Sequence, residues 1–187
     1  MAFEFQSLGL RDVVVVKPQL YSDERGFLVE GYNKEEFVKA GITEPFVQSK
    51  HSFSVKGTLR GLHYQKKPMA QGKLVQVTFG QMYIVIVDLR HGSPTFRKWE
   101  SMYMDQDEQG ILWIPEGFAL GSFALKDSIM NYHLTKGYSK EHEAGITWKD
   151  PSLQIKWPFT AQPIVSERDS ALPEFSESTI YFEYSES

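Results

Sequence analysis

The run from Thr58 to Gln65, TLRGLHYQ, brings an arginine and a histidine within four residues of each other in a segment with the composition of a strand. Because imidazole titrates near neutral pH, His63 could be a general base, a metal ligand or a hydrogen-bonded ring of the core. Strict alternation along a strand would put Arg60 and His63 on opposite faces. An isolated glycine in a strand often marks a bulge, so we expect Gly61 to bring both side chains to one side.

Two further polar residues are predicted to point into the same interior. In KLVQVTF (73–79) the period of two places Lys73 on the face of two valines and a phenylalanine. In SIMNYHL (128–134) Tyr132 shares a face with a methionine and a leucine, and His133 points to the other side. A lysine, a tyrosine and the histidine would then meet in one cavity.

These side chains must be positioned by strands, because most of the chain consists of short β-branched and aromatic runs separated by turn residues. Many strands at this spacing indicate a sandwich or barrel. The run MYIVIVDL (82–89) is apolar on both faces, so we expect an outer sheet or a second subunit to cover it. The clearest predicted strands span 13–17, 26–32, 46–54, 73–79, 81–89, 98–104, 110–115, 128–134 and 153–158.

Helices are predicted at two places. In NKEEFVKAG (33–41), Asn33 can cap the helix, Glu36 can reach back in a capping box, and Gly41 can end it. A second short helix is expected after Ser166. No repeat or Gly/Ser linker divides the chain, which favours one domain over residues 1–187.

Composition excludes several classes of protein. Hydrophobic residues make up 41% of the 187 residues, a globular value. A net charge of -4 does not favour nucleic acid as a partner, although a local basic pocket could hold a small anion. The absence of cysteine removes thiol nucleophiles and permits a reducing, cytoplasmic location. We expect no export and no membrane partner, since no window approaches 18 apolar residues.

The segment IPEGFAL (114–120) resembles the second cupin motif, a proline and glycine turn before a strand that usually delivers a metal-binding histidine. Here that position is Leu120. The five histidines show no close ligand spacing such as H-x-H, so a cupin-like barrel without metal is the better interpretation.

Several motifs in the same order make a more specific pattern, which extends from residue 23 to residue 173. They are RGLHYQ (60–65), QGKLVQV (71–77), IPEGFALG (114–121), GITWKDPSLQIKWP (145–158) and SERD (166–169). Together they resemble the dTDP-4-dehydrorhamnose 3,5-epimerase family. The resemblance implies a mainly β fold, a cupin-type double-stranded β-helix or jelly-roll barrel with a few short helices. It also implies a homodimer that needs no metal or organic cofactor.

The activity implied is inversion of C3 and/or C5 of a nucleotide-linked 4-keto-6-deoxy sugar, by removal of a proton beside the ketone and its return on the opposite face. By matched position, the resemblance implies that His63 is the base, Asp169 its carboxylate partner and Tyr132 the proton donor. Arg60 and Lys73 match residues around the sugar and its keto oxygen. Tyr138 matches a position where an aromatic ring stacks on the nucleobase. The positions matching the nucleotide and diphosphate contacts are Arg25, Glu30, Gln48, Glu143 and Arg168.

The chain departs from the family pattern at three positions near the implied site. Leu120 and Ser122 stand where histidine and phenylalanine are common, and Lys50 replaces a common asparagine. Leucine can neither donate to nor accept from a sugar oxygen, so the departures leave a single-carbon epimerase as one alternative. A non-catalytic module that binds nucleotide sugars is another. A metal-dependent cupin enzyme would need clustered ligands that the sequence does not offer.

Overall fold

The computed structural model describes residues 2–176 and 182–185, so the extreme ends of the predicted domain 1–187 and residues 177–181 lie outside the described residues. Short strands dominate the described part of the chain. The elements are β1 (Phe3–Ser7), β2 (Val14–Pro18), β3 (Leu20–Asp23), β4 (Gly26–Val29), α1 (Lys34–Lys39), β5 (Gln48–Ser54), β6 (Leu59–Gln65), β7 (Lys73–Phe79), β8 (Gln81–Asp88), β9 (Arg90–His91), β10 (Trp99–Asp105), β11 (Ile111–Ile114), β12 (Phe118–Ala124), β13 (Ser128–Leu134), β14 (Glu143–Gly145), α2 (Glu167–Ser170) and β15 (Phe182–Glu183).

Two antiparallel sheets form the barrel. One has six strands in the order β1-β2-β11-β7-β13-β5, and the other has five in the order β10-β8-β12-β6-β14. Strands β3 and β4 pair separately as a two-stranded ribbon, and β9 pairs in parallel with β15. The prediction of a mainly β, cupin-type jelly roll is therefore confirmed.

An apolar core occupies part of the space between the two sheets. Both sheets contribute inward-facing residues at every second position, as strand geometry requires. Valines of β7 and Met130 of β13 come from the six-stranded sheet. From the five-stranded sheet come the alternate residues of β8 and β12, namely Met82, Ile84, Ile86, Phe118, Leu120 and Ala124.

The outer face of the five-stranded sheet is covered by the chain's own C-terminal segment. Tyr83, Val85 and Val87 of β8 belong to a second buried cluster that includes Ile146 and Leu153. The two-sided apolar pattern of residues 82–89 thus predicts cover on both sides correctly. The prediction that an outer sheet or a second subunit supplies this cover is wrong, because residues 146–175 already provide it.

The predicted strand at 153–158 is not formed, since the structure has turn and irregular backbone there. The side chains of this segment pack as a strand's would, but its carbonyl groups bond to side chains instead of to a neighbouring strand. The Trp99 indole donates to the Leu153 oxygen at 2.8 Å, and the Tyr83 hydroxyl donates to the Lys156 oxygen at 3.0 Å. A β-prone composition indicates that a segment is buried, but it does not show that a neighbouring strand is available to pair with it.

Both predicted helices are present. Asn33 caps α1 by accepting from the backbone N–H groups of Glu35 and Glu36. The second half of the predicted capping box is wrong, because the Glu36 carboxylate pairs with Lys39 at 2.6 Å. Ser166 caps α2. In the described ranges no helix is long and apolar enough to cross a membrane.

Candidate active site

The strand β6 carries a bulge at the predicted glycine. Leu120 of β12 pairs with His63 and Ser122 pairs with Arg60, so three steps along β6 match two steps along β12. Gly61 has φ of +115°, and a Cβ there would lie 2.6 Å from the Leu120 carbonyl oxygen. Only glycine fits this backbone without strain. The predicted bulge is confirmed, and Arg60 and His63 line one cavity.

His63 forms a pair with the buried Asp169. The imidazole Nε2 donates to Asp169 Oδ1 at 2.8 Å, and the Gly61 backbone N–H donates to Oδ2 at 3.0 Å. Burial raises the pKa of Asp169, but the His63 and Gly61 hydrogen bonds outweigh it and hold the pKa below its ordinary value. The carboxylate stays ionised, so it fixes the hydrogen on Nε2 and leaves Nδ1 as the nitrogen that can accept a proton.

Lys73 points into the barrel, as its strand pattern predicts. Its side chain comes from the six-stranded sheet and crosses to the other sheet, where Nζ donates to the His63 carbonyl oxygen at 2.9 Å. Burial, with a smaller contribution from Lys50, lowers the pKa of Lys73 to about 7. An ammonium group held in this way can respond strongly to negative charge that develops beside it.

Tyr132 faces His63 from the opposite sheet. It shares its face of β13 with the buried Met130, and its hydroxyl lies 3.4 Å from the Ser52 hydroxyl. Burial raises the pKa of Tyr132 above its ordinary value. The phenol is therefore held protonated on the wall of the cavity that faces the histidine.

The mouth of the cavity carries a network of charged and aromatic side chains. Arg168 makes two hydrogen bonds to the Glu143 carboxylate, at 2.6 and 2.8 Å. The Tyr138 hydroxyl donates to the same carboxylate at 2.7 Å, and the Tyr138 backbone N–H donates to Gln48 Oε1 at 3.0 Å. Lys50 Nζ lies 5.9 Å from the centroid of the Tyr138 ring. A planar ring, an arginine and a lysine thus surround one opening.

The cavity has a volume of about 240 Å³. It is strongly basic, although the whole chain carries a net charge of -4. Four cationic side chains and one carboxylate are among its described lining residues, which are Lys50, His51, Ser52, Arg60, His63, Tyr64, Gln65, Gln71, Lys73, Leu120, Ser122, Met130, Tyr132, Leu134, Tyr138, Glu143 and Arg168. Such a lining favours an anionic ligand.

Most of the predicted site residues meet at this cavity. Asp169 lies behind His63, and Gln48 lies behind Tyr138. Arg25 and Glu30 do not reach the cavity of their own chain. Arg25 pairs with Asp23 within the β3–β4 ribbon, and Glu30 accepts from Asn33.

Several lining residues are absent from the sequence predictions. Ser52 lies two positions after Lys50 on β5, so the same alternation would have indicated it. Gln65 and Gln71 bind the backbone of the segment that carries Tyr138, through the carbonyl oxygens of Gly137 and Lys136. No sequence signal predicts those two contacts.

The described residues contain no group of three or more His, Asp or Glu side chains that could hold a metal ion. The titratable side chains that line the cavity include His63, Tyr132, Lys73 and Glu143.

The family model described as dTDP-4-dehydrorhamnose 3,5-epimerase matches residues 7–177. A relative of that name from Sinorhizobium fredii is 41% identical over 182 residues, which are 96% of this chain and 93% of the relative.

Two solved structures show the same fold over almost the whole chain. A dTDP-4-dehydrorhamnose 3,5-epimerase from Bacillus anthracis with TDP and PPi bound is 42% identical, with a TM-score of 0.89 over 93% of this chain and 100% of that one. A dTDP-6-deoxy-D-glucose-3,5-epimerase from Legionella pneumophila in complex with dTDP-4-keto-L-rhamnose is 36% identical, with a TM-score of 0.94 over 98% and 100%.

Proposed function

The chain belongs to the dTDP-4-dehydrorhamnose 3,5-epimerase family, and we propose that it converts dTDP-4-dehydro-6-deoxyglucose to dTDP-4-dehydrorhamnose by inverting C3 and C5. One observation carries the proposal more than any other. The 2.8 Å pair of His63 and Asp169 opens on a cavity lined by cations, and Tyr132 faces it from the other sheet.

His63 removes the proton in this mechanism. A hydrogen beside a ketone becomes acidic only if the resulting enolate is stabilised, and the base must be neutral when it acts. With Nε2 bonded to Asp169, Nδ1 accepts the proton and the carboxylate stabilises the imidazolium that forms. The same base serves C3 and C5 in turn, since both carbons flank the ketone.

The developing enolate oxygen needs positive charge nearby. Lys73 lies beside His63 through the bond to its carbonyl oxygen, and Arg60 lies on the same strand. Tyr132 then returns a proton from the opposite face, which inverts the carbon. A phenol kept protonated by burial suits this donation.

The nucleotide part of the substrate is assigned to the mouth of the cavity. Arg168 and Lys50 supply charge for the diphosphate, and the half-exposed ring of Tyr138 offers a surface on which a base can stack. Glu143 keeps Arg168 in place and has a pKa below its ordinary value, since hydrogen bonds from Arg168 and Tyr138 outweigh the effect of burial.

The proposal includes a homodimer and a cytoplasmic location. The β3–β4 ribbon, which carries Arg25 and leads to Glu30, exposes large apolar side chains. We assign this ribbon to the surface of a second copy, where Arg25 and Glu30 would complete the nucleotide site of the partner's cavity. The absence of cysteine is consistent with a reducing compartment.

Solvent exchange tests the proposed reaction. The enzyme is incubated with dTDP-4-keto-6-deoxyglucose in deuterium oxide, and deuterium at C3 and C5 is followed by NMR. We expect label at both carbons, and a loss of about 10²- to 10⁴-fold in exchange rate in His63→Asn, because the base is removed. His91→Asn is the matched control, since that histidine lies on β9 away from the cavity.

Other outcomes identify the alternatives. Label at a single carbon would indicate a single-carbon epimerase, a reading favoured by the apolar Leu120 directly opposite His63. Binding of the substrate without any exchange would indicate a non-catalytic module. Full exchange in His63→Asn would show that His63 is not the base.

A further inference from the structure

Ser122 is a buried residue on the inner face of the barrel. Alternation along β12 turns Phe118, Leu120, Ser122 and Ala124 inward, and the other three of these four belong to the core between the sheets. Ser122 itself is 2% exposed and lines the cavity. It is thus a hydroxyl in a row of apolar side chains.

The Ser122 hydroxyl has no hydrogen-bond partner among the described residues. In the same part of the chain no fully buried side-chain oxygen or nitrogen lacks a partner, so the Ser122 oxygen is open to the cavity instead of sealed in protein. A buried hydroxyl that faces a ligand cavity without a protein partner is available for a polar group of the ligand.

The pairing of β6 with its neighbours shows which part of the ligand Ser122 would meet. Glu143, which holds Arg168 at the mouth, pairs with Gln65 at one end of β6. Ser122 pairs with Arg60 at the other end, and His63 lies between these two pairs. If the diphosphate binds at the mouth, the far end of the hexose lies beside Ser122 and Arg60.

We propose that Ser122 determines sugar specificity by hydrogen bonding to the C3 hydroxyl of the hexose. This inference rests on the proposed function. C4 lies across the hexose ring from C1, which carries the diphosphate, and C3 is bonded to C4. In the substrate C4 bears the ketone, whose oxygen is assigned to the cations, so the free hydroxyl at this end is the one on C3. The neighbouring Leu120 and Met130 form the apolar part of the same floor.

Binding of stable analogues tests the proposal without turnover. The affinities of dTDP, dTDP-6-deoxyglucose and dTDP-3,6-dideoxyglucose are measured by calorimetry for the wild type and Ser122→Ala. We expect the substitution to weaken dTDP-6-deoxyglucose by about fivefold and to leave dTDP unchanged, since a neutral hydrogen bond contributes modestly. The wild type should lose a similar factor when the C3 hydroxyl is removed, and Ser122→Ala should lose none.

Ser101→Ala is the matched control. That serine bonds to Tyr83 on β8, whose odd-numbered residues face the outer cluster, and it does not line the cavity. The assignment would be overturned if Ser122→Ala weakened both dTDP-sugars equally, or if it weakened dTDP as much as dTDP-6-deoxyglucose. It would also be overturned if Ser122→Ala lost no affinity for dTDP-6-deoxyglucose. These outcomes can be told apart from failure of the proposed reaction. A wild type that binds the dTDP-sugars but shows no deuterium exchange at C3 or C5 still allows the contribution of Ser122 to affinity to be measured.

Discussion

At the scale of single residues, Lys73 links the chemistry of the site to the stability of the fold. Its side chain is 7% exposed, and burial holds its pKa at about 7. Since one unit of pKa corresponds to about 1.4 kcal/mol, the folded protein disfavours the charged form by several kcal/mol. In the proposed mechanism the Lys73 ammonium is needed beside a developing oxyanion, and this need would account for the cost.

This shift predicts a pH dependence of stability. Between about pH 7 and 10 the unfolded chain keeps a proton on Lys73 that the folded chain has lost, so raising the pH favours the folded state. The free energy of unfolding of the wild type should therefore rise relative to Lys73→Met, by at most about 1.4 kcal/mol per pH unit. Urea unfolding at pH 6 to 9 measures the difference. The exposed Lys98→Met variant should run parallel to the wild type, and parallel curves for Lys73→Met would contradict the burial argument.

At the scale of elements, the period of two in the sequence predicts the inner wall correctly. It places Lys73 and Tyr132 inside, and with the bulge at Gly61 it brings Arg60 and His63 to one side. Alternation works here because the inward face of each of these strands lies on the cavity or on the core between the sheets.

Alternation does not predict strand pairing where a buried segment has no neighbouring strand. Residues 153–158 have the alternation of a strand, but long-range bonds from Trp99 and Tyr83 occupy their carbonyl groups. Only the three-dimensional neighbours show this, so composition alone predicts a strand. Likewise the sequence can match Arg25 to a nucleotide contact, but it cannot say which chain's cavity that contact belongs to.

The bulge on β6 predicts that substitution of Gly61 destabilises the fold. In Gly61→Ala the added Cβ would meet the Leu120 carbonyl oxygen at 2.6 Å on a backbone with positive φ. We expect a loss of about 2 to 4 kcal/mol in unfolding free energy, because the strain and the clash add. Denaturant unfolding measures it. Gly110→Ala is the control, since a Cβ there has nothing within 4 Å, and equal stability of the two variants would show that β12 can move away.

At the scale of the whole molecule, a single copy of the chain does not explain why the β3–β4 ribbon exposes large apolar side chains. Tyr21 and Leu28 pair across the ribbon and are 57% and 74% exposed, and Phe27 on the other face is 51% exposed. An isolated two-stranded ribbon is at best marginally stable in water. Apolar side chains exposed on both of its faces are therefore best explained by a surface that covers it.

If that surface belongs to a second copy, two inactive variants should restore each other. Arg25→Ala lacks the ribbon's cation and His63→Asn lacks the proposed base, but in a mixed dimer one cavity combines an intact His63 with the partner's intact Arg25. Random pairing after co-expression should then recover about one quarter of the wild-type exchange rate, since half of the dimers are mixed and each has one complete site. Light scattering measures the mass of each sample. Mixing His63→Asn with Asp169→Asn should recover nothing, because both residues serve the cavity of their own chain. No recovery in the first mixture from a sample with the mass of a dimer would mean that Arg25 does not act across the interface.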